Sequence, residues 1–227
     1  MSLSRFPVYF YYDVISPYSW IAFELLNRYS KVWEKMELVH KPSSIYHIFN
    51  YSKNPSPLTN SLKLPYQMRD IHMMAKYCKV PLRMPSNFMN LAQTGSFSAM
   101  MFTTAVDFLS EGKDTAKISR ALWGSTFCND PAPMLDKSET WLKAAASVNL
   151  DHGIMTEAIV QSQGGAVKAR VKAVTKEAVE KGAFGLPFIL VHTSEGMIPL
   201  FGCDRIEQLA YLIGEKYYGP HPTSDSS

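Results

Sequence analysis

The 227-residue sequence predicts an α/β fold that carries a large all-helical insertion. Three observations predict it. The chain opens with an aromatic and β-branched run, a helical stripe and a second apolar run, the order strand, helix, strand. It closes with a helical stripe, two short apolar runs and a further helical stripe. Between them, residues 43–165 shift to a helical period and to proline, serine, asparagine and methionine.

Taken in order, Phe6 to Tyr12 ends at Asp13 and reads as a buried strand followed by a turn. From Pro17 the apolar positions Trp20, Phe23, Leu26 and Tyr29 recur at helical spacing, widened by Ile21, Leu25 and Val32. Glu37 to Lys41 reads as a second strand, so the opening unit favours a parallel pair with a right-handed crossover. Pro42 to Pro65, crowded with proline, serine and asparagine, reads as an irregular loop leading into the helices. Helical periodicity follows in Phe97 to Leu109, with Met101, Ala105 and Phe108 on one side, and in Lys117 to Phe127, with Ile118, Leu122 and Trp123. Asp136 to Ala146 and Met155 to Gln163 read as two shorter helices, and the methionines and aromatics as core or dimer-interface filling. Val167, Val171, Val174 and Ala178 then mark one face of a helix that Gly182 and Gly185 stop. Pro187 to Val191 and Met197 to Phe201 read as strands, and Asp204 to Tyr217 as a helix with Ile206, Leu209, Leu212 and Ile213 inward. This is the order of a thioredoxin-like sheet. Residues 1–42 and 166–227 would form a discontinuous thioredoxin-like domain, and residues 43–165 an inserted loop plus helical domain.

Composition narrows the function classes. At 46% hydrophobic the chain can bury a full core, yet no run approaches the roughly 20 apolar residues of a membrane span, so a soluble protein is expected. A net charge of +3 without a lysine or arginine cluster gives no support to nucleic-acid binding. Three cysteines, Cys78, Cys128 and Cys203, stand far apart and outside any C-x-x-C spacing, which argues for a reducing compartment and against a disulfide scaffold or zinc site. The six histidines show no ligand spacing, so no metal is expected. Met1 to Pro7 lacks a secretory core, and Ser224 to Ser227 is not a Ser-Lys-Leu type peroxisomal address.

The chemistry turns on Ser16. In a thioredoxin-like oxidoreductase the attacking cysteine stands at the start of the first helix, where this chain has Ser16-Pro17-Tyr18-Ser19. A serine forms neither thiolate nor disulfide, so redox cycling at this position is excluded. Two readings remain open: a plain helix N-cap followed by proline, or a donor that holds another molecule's thiolate where the helix dipole favours negative charge. Gly185-Leu186-Pro187-Phe188 places a proline at a strand entry facing that helix start, where a cis bond would offer the Leu186 backbone to an extended peptide. Gly202-Cys203-Asp204-Arg205 opens the last helix and forms a second anion site through its backbone, with Cys203 also weighed as an activated thiol.

Phe10 to Trp20, Gly182 to Pro187, Phe201 to Arg205, Gly214-Glu215-Lys216 and Gly95 to Met100 together resemble, nearly end to end, the kappa-class glutathione transferases of the thioredoxin-like superfamily that also holds 2-hydroxychromene-2-carboxylate isomerase and disulfide oxidoreductases. The resemblance implies glutathione as co-substrate, with Ser16 donating to its sulfur as the catalytic residue. Pro17 and Tyr18 would flank that contact, and Leu186 before Pro187 would pair with the tripeptide backbone. It further implies that Cys203 and Asp204 receive the γ-glutamyl end, that Asn54 contacts the tripeptide and that Lys63 neutralises a ligand carboxylate. Serine is common in the family where this chain has Cys203, so a backbone contact there would survive and a hydroxyl contact would not. A homodimer, a mitochondrial or peroxisomal location, and a small hydrophobic electrophile or organic peroxide as second substrate are implied on the same ground.

The energetics allow this. Lowering a thiol from about 8.5 by about two pKa units requires roughly 2.7 kcal/mol of preferential stabilisation of the anion. A charge-assisted hydrogen bond contributes about 1.5 to 3 kcal/mol and a helix terminus about 0.3 to 1. The alternatives are a glutathione-dependent isomerase of the 2-hydroxychromene-2-carboxylate type, in which the thiolate adds and then leaves, and a module that binds glutathione or a peptide without turnover. A disulfide oxidoreductase is disfavoured by the absence of a C-x-x-C pair.

Overall fold

A computed structural model describes residues 5–222. The residues weighed for a C-terminal address, 224–227, and the first four residues of the chain lie outside the described residues. Four strands, β1 (Phe6–Tyr12), β2 (Met36–Pro42), β3 (Phe188–Thr193) and β4 (Gly196–Phe201), form one sheet in the order β2-β1-β3-β4. β1 and β2 run parallel, with Phe6 opposite Met36 and Tyr12 opposite Pro42, around the crossover helix α1 (Pro17–Tyr29). β3 is antiparallel to β1, with Val8 opposite Val191, and β4 is antiparallel to β3, with Phe188 opposite Phe201.

Alternation along β1 sends its side chains to two separate clusters. Val8, Phe10 and Tyr12 join the main core with Phe23 and Trp123, where the Phe10 and Tyr12 rings stack with centroids 5.1 Å apart. Tyr11 points to the other face and packs in a smaller cluster with Ile48, Ala178, Leu186 and Phe188. The helices between the two halves of the sheet are α2 (Ile45–Ser52), α3 (Lys63–Tyr77), α4 (Phe88–Thr94), α5 (Phe97–Leu109), α6 (Thr115–Phe127), α7 (Ser138–Ser147) and α8 (His152–Ser162). They are followed by α9 (Gly165–Glu180) and, after β4, by α10 (Ile206–Ile213). The insertion has no separate core: Leu91, Phe102, Leu122 and Trp141 belong to the same cluster as β1 and α1.

Three expectations are corrected. The stretch Pro42 to Pro65 holds α2 and a 3-10 turn at Pro57–Thr59, and α3 begins inside it at Lys63, so Lys63 is a helical residue and not a loop residue. Pro42, Pro55 and Pro57 all stand outside α2, and Pro65 lies in the first turn of α3, where no intrahelical N–H is lost. The last helix ends at Ile213 instead of Tyr217, because Gly214 takes the left-handed conformation (φ 65°) and reverses the chain. Of the side expected to carry Met101, Ala105 and Phe108, Ala105 is fully buried, whereas Phe108 is 55% exposed and lies under the Arg170 guanidinium; Met100, Phe102, Thr103, Thr104 and Val106 are buried with Ala105.

Candidate functional site

The site begins where β1 gives out. Asp13 to Ile15 turn the chain, the Ser16 N–H donates to the Asp13 carbonyl (3.0 Å), and Ser16 takes extended dihedrals as the N-cap of α1. Its Oγ accepts from the Ser19 N–H (3.2 Å), and its carbonyl accepts from the Trp20 N–H (3.2 Å). Pro17 has no N–H, so of the free donors of the first turn the Tyr18 amide is left bonding no other described residue. Ser16 is thus an N-cap, but more than that: it is buried, and its hydroxyl donates across the fold to the Leu186 carbonyl over a long 3.5 Å. A bond of that length is weak and leaves the proton available to a better acceptor.

The Leu186-Pro187 bond is cis. The Pro187 carbonyl accepts from the Gly202 N–H (3.1 Å), which sets the Gly202–Asp204 turn beside the Leu186 turn. From the other side the Asn54 amide donates to the Phe184 carbonyl (2.8 Å), so the loop after α2 grips the same turn. The structure therefore brings Ser16, Leu186, Pro187, Asn54 and Cys203 to one end of the sheet. Tyr18 reaches instead to α3, donating to Asp70 Oδ2 (2.6 Å), and burial, followed by that bond, pushes its phenol well above the ordinary range. Lys63 stands seven residues before Asp70, two turns away on the same face of α3, with its side chain exposed.

Cys203 is not an activated thiol. Burial, and then the neighbouring Asp204 carboxylate, push it up to about 12, so only its backbone remains a ligand candidate. Asp204 is exposed and pairs with Arg205 (3.2 Å). The sequence reading passed over two residues. Ser19 is fully buried one turn below Ser16, and its hydroxyl has no partner among the described residues. Asp13 is also fully buried: Oδ1 accepts from the Ile15 N–H (3.1 Å) and Oδ2 from the Ile45 N–H (2.9 Å). Burial raises its carboxyl to about 6, against the opposing pull of the Ser96 hydroxyl and these two amides. The signal that could have found Asp13 is a carboxylate closing an apolar strand immediately before a Ser-Pro helix start. A separate cavity of about 330 Å³ lies at the far end of α3 between Lys76, Leu82 and Cys128 and includes none of the predicted ligand residues.

The same fold occurs in known proteins. Residues 7–214 match the DSBA-like thioredoxin domain family. Glutathione S-transferase kappa 1 of Homo sapiens is 35% identical over 218 residues, 93% of this chain and 92% of that protein. The chain belongs to the kappa-class glutathione S-transferases. The kappa 2 enzyme of Caenorhabditis elegans is 28% identical over 220 residues, 96% of each chain. Among solved structures, a 2-hydroxychromene-2-carboxylate isomerase superimposes with a TM-score of 0.71 at 19% identity, covering 92% of this chain and 94% of that one. The cytosolic disulfide reductase DsbM from Pseudomonas aeruginosa with GSH gives 0.58 at 15% identity, covering 91% and 92%. Both share the fold. As a kappa-class enzyme the chain is a glutathione transferase.

Proposed function

We propose that this transferase holds the thiol of glutathione against the Ser16 hydroxyl, keeps it ionised, and delivers the thiolate to small hydrophobic electrophiles. The observation that carries the reading is the Ser16 hydroxyl itself: buried, at a helix N-terminus, and bonded only weakly to the Leu186 carbonyl. On binding, the hydroxyl turns from that carbonyl to the sulfur, and the unpartnered Tyr18 amide and the helix dipole add to the same anion. The Leu186 backbone takes the cysteinyl backbone, Asp204 the γ-glutamyl ammonium, the Cys203 N–H its carboxylate, and Asn54 and Lys63 the remaining polar groups. The thiol proton leaves to solvent. The thiolate then forms a C–S bond as the leaving group departs with its electron pair. With an organic peroxide the same thiolate takes one oxygen to become a sulfenic acid as an alcohol leaves, and a second glutathione attacks that sulfur, closing the disulfide and releasing the oxygen as water.

The test is the ultraviolet absorbance of bound thiolate followed against pH. A bound pKa about two units below that of free glutathione is expected, and an unshifted value removes the catalytic reading and leaves a binding module. Ser16→Ala lowers turnover by about 10 to 100-fold, the equivalent of about 1.4 to 2.7 kcal/mol, and full activity in that variant takes Ser16 out of the mechanism. Product analysis separates transfer from isomerisation: a stable thioether marks the first, an unchanged mass with altered absorbance the second. The likeness to the isomerase structure makes that comparison necessary. We further place the protein in solution as a homodimer and in the cell in mitochondria or peroxisomes, which sedimentation and a fluorescent fusion respectively test.

A further inference from the structure

We propose that Asp13 is a positioning residue of this site, its carboxylate fastening the turn that carries Ser16 to the first residue of α2 and so fixing the thiolate donor relative to Asn54. The proposal rests on the reading of Ser16 given above and names a second residue on which that site depends. Among the described residues Asp13 is the one carboxylate or cation that is fully buried; the other buried polar side chains are serines and threonines. A buried carboxylate is expensive to keep for filling space alone. Here each oxygen has its own backbone donor on a different element. Oδ1 takes the Ile15 N–H within the Ser16 turn, and Oδ2 takes the Ile45 N–H at the first residue of α2.

Both ends of that bridge lead to the ligand site. The Asp13 carbonyl accepts from the Ser16 N–H (3.0 Å), so the orientation of the cap depends on this residue twice. α2 ends at Ser52, and Lys53 (φ 56°) turns the chain into Asn54, which grips the turn two residues before Leu186. The Ser96 hydroxyl also bonds the carboxyl, and the Ser44 hydroxyl does not substitute for it. Ser44, the N-cap of α2, makes its hydroxyl contact with His47 Nδ1 (2.9 Å), and its N–H donates to Thr175 Oγ1 (3.0 Å). An amide at position 13 would present one acceptor and one donor to two N–H groups, which breaks the bridge on one side.

Two variants test this without depending on one another. Asp13→Asn keeps the volume and removes one acceptor. Ile45→Pro keeps Asp13 and removes only the donor on α2, at a first helical position that accepts proline and after a residue, Ser44, already extended (φ −114°, ψ 114°). Each is measured for folding by far-ultraviolet dichroism, for kcat and KM with glutathione, and for the pKa of bound glutathione. In folded protein, kcat is expected to fall about ten-fold in Asp13→Asn as the bound thiol drifts toward its free pKa, with KM for glutathione raised several-fold in both variants. Wild-type kcat, KM and bound-thiol pKa in a folded variant overturn the proposal, and if Asp13→Asn does not fold, Ile45→Pro decides. Failure of the wild type to acidify bound glutathione sinks this proposal together with the reading of Ser16, whereas normal acidification with indifferent variants sinks this one alone.

Discussion

Asp13 retains a proton to about pH 6 in the folded chain, against 3.8 as its ordinary value, and the sign of that shift has a consequence for stability. A carboxyl whose folded pKa is raised contributes stability when protonated: the contribution is complete below the ordinary pKa and is lost as pH rises through about 6. Two pKa units correspond to about 3 kcal/mol, so the stability of the wild type relative to Asp13→Asn is expected to grow by about that amount from about pH 8 to about pH 4. Urea unfolding of both proteins across that range measures it, since other carboxylates cancel in the difference; a gap that does not change with pH refutes the shift. Near neutrality the ionised carboxylate costs stability, and the variant loses one hydrogen bond, so the two proteins should unfold within about 2 kcal/mol of one another. For Ser16→Ala the lost cap costs about 1 kcal/mol, a fall of about 2–4 °C in Tm, well short of unfolding. Ser16 was legible in the sequence because a serine followed by proline at a strand-helix junction is a local signal. Asp13 was not, because its burial is produced by the N-terminus of α2 and by Ser96, which lie more than 30 residues away in the chain.

Elements with a strong period were readable and those bounded by rare conformations were not. β1 and α5 have the bounds that their apolar spacing predicts, and α1 starts at Pro17 as expected but ends at Tyr29, short of Val32. α2 was obscured because eight residues with tyrosine, histidine and asparagine sit among prolines that lie outside the helix. The last helix was read four residues too long because Leu212, Ile213, Tyr217 and Tyr218 continue the apolar signal past Gly214. In the structure the Gly214 N–H donates to the Tyr211 carbonyl (3.2 Å) and the Glu215 N–H to the Ala210 carbonyl (2.9 Å), a Schellman end. The chain then returns over α1, where the Tyr29 hydroxyl donates to the Gly219 carbonyl and accepts from the Tyr218 N–H, both at 2.7 Å. Gly214→Ala puts a Cβ at φ 65° and 3.2 Å from Lys35 Nζ, and is expected to cost about 1 kcal/mol with kcat unchanged. Denaturant unfolding of that variant checks the cost; equal stability would mean that the reversal does not need glycine.

The order strand, helix, strand followed by helix, strand, strand, helix carried the topology, because few right-handed arrangements satisfy it. What it did not show is that the inserted helices share the core of the sheet. Tyr12 reaches Ser119 of α6 (2.6 Å between hydroxyl oxygens), and Trp123 and Trp141 sit in the same cluster as Trp20 and Trp33. Heat should therefore unfold both parts together, with tryptophan emission and far-ultraviolet dichroism giving one coincident transition; two separated transitions would reveal independent units. The cysteines carry a last consequence. Desolvation holds all three cysteine thiols above their ordinary values, Cys203 at about 12, so at neutral pH the protein itself offers little cysteine thiolate. A glutathione transferase spends a borrowed sulfur on each product, so its own cysteines need not ionise for turnover.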